Sequence, residues 1–165
     1  MSDDAHSVVV FNVSDQPFAA SVEYVAEVVP IPWLAKPPGM PSIVQGILNL
    51  GGVAVTVLRA DLLLGLEPFS VGLDSSILIM KERAVPMGLL VQHVDGVYPL
   101  SACRVLPIDE TRTFQGCVEA QLEICEQAIP LLSWPKILLE EERQRVLDYL
   151  GQLSKRLDDL AEELT

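Results

Sequence analysis

The chain is written in short apolar runs, each closed by turn residues or charge. Val8-Val9-Val10-Phe11-Asn12-Val13 opens the series. Ser14-Asp15-Gln16-Pro17 follows as turn chemistry, since short polar side chains bond their own backbone and Pro presets φ. Residues 18–29 resume the apolar pattern, and strand-like runs recur at 44–50, 53–58, 76–80, 85–91, 94–100 and 128–132. Runs of this length, rich in Val, Ile and Leu and bounded by Gly, Pro or Asn, read as buried strands. Pro30, Pro32, Pro37, Pro38 and Pro41 exclude a regular helix or central strand over residues 30–41, because each removes a backbone donor. That stretch reads as a surface loop carrying Trp33, whose ring either stands out as a docking point or folds back on the core. Residues 59–66 read as one or two helical turns.

The tightest connection is Asn49-Leu50-Gly51-Gly52, between the runs 44–50 and 53–58. Asn and Gly tolerate positive φ, so a two-strand hairpin is expected there. The pattern also repeats. Residues 18–31 lie over 87–100 at an offset of 69, with identities at Val22/Val91, Val25/Val94, Val28/Val97 and Pro30/Pro99; Val8 to Phe11 lies over Ile77 to Met80 at the same offset, and Gly46 lies over Gly116 at 70. A near-constant offset over three segments points to a duplicated β unit. The expected fold is all-β, two small pseudo-symmetric five-stranded barrels at 8–75 and 76–132 that share a core within 1–138, followed by a C-terminal helix over 139–165. Strands at even spacing, without intervening helical patterns, argue for barrels rather than βαβ units.

Beyond residue 137 the periodicity changes. Val146, Leu150, Leu153, Leu157, Leu160 and Leu164 are spaced 4, 3, 4, 3 and 4 apart, the a/d stripe of a heptad helix. Ser133 is placed to cap it, with Pro135 in the first turn. The stripe either packs on its own β body or docks on a partner.

Net charge is −12 on 165 residues, with Lys and Arg few and scattered. No basic face is available for nucleic acid or an anionic membrane, and no run reaches the ~20 apolar residues of a membrane helix. The N-terminus, Met1 to His6, is acidic and lacks the basic region of a signal peptide. Cys103, Cys117 and Cys125 form no C-x-x-C pair and suit reduced thiols in packing roles. His6 and His93 belong to no metal-ligand cluster. There is no G-x-S-x-G and no phosphate loop, since Gly51-Gly52 lacks a following Lys-Ser/Thr. Catalysis, cofactors and metals are therefore not expected; a binding module is, with the Trp33 loop and strand edges as docking surfaces.

In its ordered set of motifs the sequence resembles the CheW coupling-protein family of bacterial chemotaxis. Pro41 to Leu58, with Gly46 and Asn49-Leu50-Gly51-Gly52, resembles the family's Asn-Leu-Arg-Gly hallmark; residues 18–28 resemble its aromatic-led strand, and Gly88-Leu89-Leu90-Val91 with Val94 and Val97 its second-subdomain pair. The resemblance spans about residues 8–139. It implies a non-enzymatic cytoplasmic adaptor, recruited to membrane-associated receptor arrays, that joins methyl-accepting chemotaxis receptor tips to the regulatory domain of the histidine kinase CheA. It implies an interface at Val25, Glu27, Asn49, Leu50, Gly51 and Gly52. The hallmark Arg is Gly51 here, the family's Pro and Asp in the next strand are Thr56 and Arg59, and its acidic residue after the second-subdomain strand is Gln92. These departures leave open an adaptor of a divergent chemosensory system serving surface motility or another output; a separate alternative is a β-barrel module for a peptide or small ligand outside signalling.

Overall fold

A computed structural model describes residues 6–81, 85–111 and 113–164. The acidic segment 1–5 and Thr165, the last residue of the expected helix, lie outside the described residues.

The described strands are β1 (Ser7–Val13), β2 (Gln16–Ser21), β3 (Val25–Pro30), β4 (Val44–Leu50), β5 (Val53–Arg59), β6 (Ser76–Met80), β7 (Met87–Val91), β8 (His93–Pro99), β9 (Arg104–Leu106), β10 (Val118–Ile124) and β11 (Gln127–Leu132). The helices are α1 (Ala60–Leu63) and α2 (Trp134–Glu163), and 3-10 turns cover Val22–Tyr24 and Leu100–Ala102. One sheet runs β8-β1-β2-β11-β10-β9 and the other β3-β6-β7-β5-β4. The protein is thus mostly β, with two sheets and a C-terminal helix. β9 makes the first sheet six-stranded rather than five-stranded.

The duplication is legible in the registers. Val8 pairs with Ser21 as Ile77 pairs with Leu90, at an offset of 69. Val9 pairs with Val97 as Leu78 pairs with Val28. Val44 pairs with Leu58 as Val118 pairs with Leu132, at an offset of 74. The parallel ladders agree with both offsets, Val57 opposite Gly88 matching Leu131 opposite Ala19. The structural counterpart of Gly46 is therefore Ala120, not the Gly116 expected from an offset of 70; the segment containing β9 lengthens the second repeat by five residues.

Each repeat is divided between the sheets: β1 and β2 join β8 to β11 of the second repeat, and β6 and β7 join β3 to β5 of the first. β3 pairs with β6 of the second repeat and β8 with β1 of the first. The 75/76 boundary thus falls between repeats and not between sheets. This crossing also explains the shared core: Phe11, Phe18 and Val57 from the first repeat pack in one cluster with Leu78, Leu90 and Leu132 from the second. Alternation sorts β1 between two cores, Val9, Phe11 and Val13 entering the shared one, Val8 and Val10 a smaller one with Leu122, Ile124 and Ile129. The second sheet curls. Its outer strands in a flat sheet would lie about 19 Å apart, yet only four residues separate Pro30 on β3 from Ala35, which bridges Ile47 on β4.

The helix begins at Trp134, earlier than the expected 139, with Ser133 Oγ accepting from the Lys136 N–H at 3.4 Å and Pro in the first turn. Trp134 and Ile137 are buried in the core. Gln144 Nε2 donates to the Leu62 carbonyl of α1 at 3.1 Å. From Arg145 onward nearly every residue is exposed. The helix does not lie along the β body; about 20 of its residues, roughly 30 Å, project from it.

Candidate functional site

The hairpin between β4 and β5 has both central residues at positive φ, Gly51 at 58° and Gly52 at 89°. That pairing is the type I′ geometry matched to sheet twist. Asn49 closes it by accepting the Gly52 N–H on Oδ1 at 2.9 Å. The equivalent turn of the second repeat uses Cys125 and Glu126 in the same region, and β1–β2 uses Ser14 and Asp15. Side chains are therefore tolerated at such positions, and a Cβ at Gly51 would meet nothing within 4 Å. No crowding demands glycine there.

A strap over residues 31–37 runs alongside this hairpin. Ala35 exchanges both backbone hydrogen bonds with Ile47, at 2.9 and 2.7 Å. Gly46 makes the close approach feasible, since a Cβ there would come within 2.8 Å of Leu34 Cβ and the Ala35 carbonyl oxygen. Leu34 anchors the strap in the core. The neighbouring Trp33 is held outward, 85% exposed. Its ring separates two shallow grooves. One, about 390 Å³, runs past Pro32 and Ile47 to Asn49, Gly52 and Ala54. The other, about 610 Å³, is bounded by Ile31, Lys36, Gln45 and Val71. An exposed, rim-bounded aromatic beside a rigid hairpin is the kind of anchor that protein interfaces use.

Of the expected interface residues, Asn49, Leu50, Gly51 and Gly52 border this surface, Asn49, Gly51 and Gly52 exposed and Leu50 half-buried. Val25 is 7% exposed and packs in the core, so its side chain is not offered to a partner. Glu27 is exposed on β3, the opposite outer strand of the same sheet. Trp33 borders the same surface; of the two placements the sequence left open for its ring, the structure has it standing out.

Two of the four departures from the family pattern, Arg59 and Gln92, have side-chain partners in the structure. Arg59 grips Asp61 through Nη2 at 2.6 Å and Nε at 3.1 Å, reaches the Phe69 carbonyl at 3.3 Å, and lies over the Phe69 ring. Asp61, fully buried, also accepts the N–H groups of Leu62 and Phe69. Its charge is thus matched by a guanidinium and two amides, as a buried carboxylate requires. Gln92 donates Nε2 to Asp15 Oδ1 at 2.9 Å and accepts the Asp15 N–H at 2.7 Å. A carboxylate in its place would lose that donor and face Asp15.

Among the described residues no group of three or more His, Cys, Asp and Glu is placed to hold a metal ion. Cys117 is buried, and that burial, with Glu140 nearby, pushes its thiol up to about 11, where it stays protonated and poorly nucleophilic. No helix among the described residues is long and apolar enough to cross a membrane.

The two-sheet duplicated fold carries, at one sheet edge, a hairpin and a strap that hold an aromatic side chain exposed. The sequence matches the CheW-like domain family over residues 7–143, and the chain belongs to that family. Among solved structures it is similar to scaffolding protein TtCheW from Thermoanaerobacter tengcongensis, at 24% identity and a TM-score of 0.68, over 79% of this chain and 85% of that one. A search of curated proteins returned no match.

Proposed function

We propose that this protein is a non-enzymatic adaptor of bacterial chemosensory signalling. It joins the cytoplasmic tips of methyl-accepting receptors to the regulatory domain of the histidine kinase CheA, at receptor arrays on the cytoplasmic side of the membrane. The observation that carries this reading is membership of the CheW-like family over residues 7–143. The surface formed by Trp33, Asn49 and the Gly51-Gly52 turn supports it, because it combines an exposed aromatic with a backbone held by hydrogen bonds.

The absence of the hallmark Arg favours a second form of the same role, in a divergent system whose partner does not require a guanidinium at this turn. Arg offers a planar fork of donors that Gly cannot replace. Titration of the chain against a receptor tip and against the kinase regulatory domain, followed by calorimetry, tests the reading. Binding to at least one is expected, weakened by roughly 10-fold or more in Trp33→Ala, as for a hot-spot aromatic. No binding to either at high micromolar concentration would contradict it. Gly51→Arg separates the two forms: tighter binding to partners of a standard array indicates a weakened standard adaptor, and unchanged binding indicates a divergent one.

A further inference from the structure

β4 is an end strand of its sheet, and its outer edge is covered only in part. Ile47 turns its N–H and C=O away from β5, since both bond Ala35 of the strap. Asn49, two residues on, presents its own N–H and C=O on that same side by the period of the strand. The register that sets Ala35 against Ile47 would set Trp33 against Asn49, yet the Ala35–Ile47 bridge stands isolated. Strap and strand diverge at that point. The groove of about 390 Å³ opens between them, with Pro32 and Trp33 on one wall and Ile47 to Asn49 on the other. Among the described residues, no backbone hydrogen bond from outside the hairpin reaches Asn49.

Charge sets this surface apart from the rest of the chain. Asp and Glu number 23, and none falls within residues 28–60, which hold the strap, β4 and β5; no other acid-free stretch is half as long. The stretch carries two cations, Lys36 and Arg59. Arg59 is committed to Asp61 at 2.6 Å. Lys36 is exposed on the strap and joins no ion pair among the described residues. No carboxylate lines either groove beside Trp33, and Lys36 lines one of them. On a chain of net charge −12, an acidic segment is repelled least here and is drawn by Lys36.

We propose that the open edge of β4 takes an extended, acidic segment of the partner as an added strand, an inference that rests on reading Trp33 and the hairpin as the partner face. The segment's backbone bonds the outward N–H and C=O of Asn49. Its apolar side chains lie against Trp33, and its carboxylates face Lys36. Strand addition draws affinity from main-chain bonds and specificity from alternate side chains, so the segment alternates acidic with apolar residues. A helix, about 10 Å across with its own backbone bonds closed, would leave the Asn49 groups without partners. Asn49 supplies only two main-chain bonds, so an isolated peptide is expected to bind weakly, in the high micromolar range.

The test uses capped heptapeptides in which valine alternates with glutamate or with lysine, titrated into the isotope-labelled full chain and followed by NMR. The glutamate peptide should shift the Asn49 amide and the Trp33 indole saturably and protect the Asn49 amide from hydrogen exchange. It should bind about fivefold tighter than the lysine peptide, the scale of one exposed ion pair, and Lys36→Glu should remove that preference. Strand geometry is read by N-methylation: blocking one alternate set of peptide amides should abolish binding, and blocking the other set should not. No saturable shift at Asn49 with the glutamate peptide at millimolar concentration, or equal loss from both methylated sets, overturns the proposal. Titration with the receptor tip and the kinase regulatory domain keeps the two readings apart. Trp33-dependent binding of either, beside a silent glutamate peptide, overturns strand addition alone; peptide binding with neither partner bound supports strand addition and overturns the adaptor reading.

Discussion

Gly46→Ala probes the strap that holds Trp33. The added Cβ would sit 2.8 Å from both Leu34 Cβ and the Ala35 carbonyl oxygen. Neither neighbour is the far end of a flexible side chain, so the strap must lift. Lifting breaks the two Ala35–Ile47 backbone bonds, about 1 kcal/mol each, and exposes part of Leu34, whose full burial contributes about 2 kcal/mol. The expected loss is about 2–4 kcal/mol, a large share of the 5–15 kcal/mol typical of a domain. Urea unfolding followed by far-ultraviolet circular dichroism gives the stability. Hydrogen exchange gives the cause, since the Ala35 and Ile47 amides should lose protection first. A variant within about 0.5 kcal/mol of wild type, the scale of an inconsequential substitution, with both amides still protected would refute the reasoning.

Other substitutions follow from the same structure. Asp61→Asn removes the charge that pairs with Arg59 in a buried setting and is expected to cost about 3 kcal/mol, measurable by the same unfolding assay. A chain ended at Arg145 keeps the packed turns of α2 and loses only the projecting part, so its stability, read by the same assay, should fall by less than about 1 kcal/mol. Burial raises the Glu141 carboxyl above its usual range, the Arg145 guanidinium at 3.6 Å offsetting only part of this. The folded state therefore favours the protonated form, and stability is lost as pH rises through that raised value. Glu141→Gln should accordingly raise the unfolding midpoint at neutral pH, with an advantage that vanishes on acidification below the carboxylate range; a constant advantage at all pH values would contradict the assignment.

Much of the fold was legible because period and turn chemistry agree where the residues are unambiguous. The Asn49 to Gly52 hairpin, the Ser133 cap and the short α1 follow from side chains with one evident local use. The β10 strand was missed although Val118, Ala120, Leu122 and Ile124 alternate with polar residues; it lacks the continuous apolar run that marked its neighbours. Its turn, Cys125-Glu126, takes positive φ without Gly or Asn, so it carried no turn signal. The exchange of the β1–β2 and β6–β7 pairs between repeats lay beyond local pattern, because β1 and β6 pair with strands some 50 to 90 residues distant. At the site, the exposure of Trp33 and the burial of Val25 both depend on tertiary packing. Gly46 could be matched to a motif, but the reason for glycine appears only once the strap lies across it.

The central claim is that this chain bridges two partners. A co-sedimentation assay with clustered receptor tips, the kinase regulatory domain and this protein tests it most directly. The account predicts that the kinase domain pellets with the receptors only when the chain is present, and that Trp33→Ala sharply reduces the amount recovered. A pelleted kinase fraction that is the same with and without the chain would contradict it.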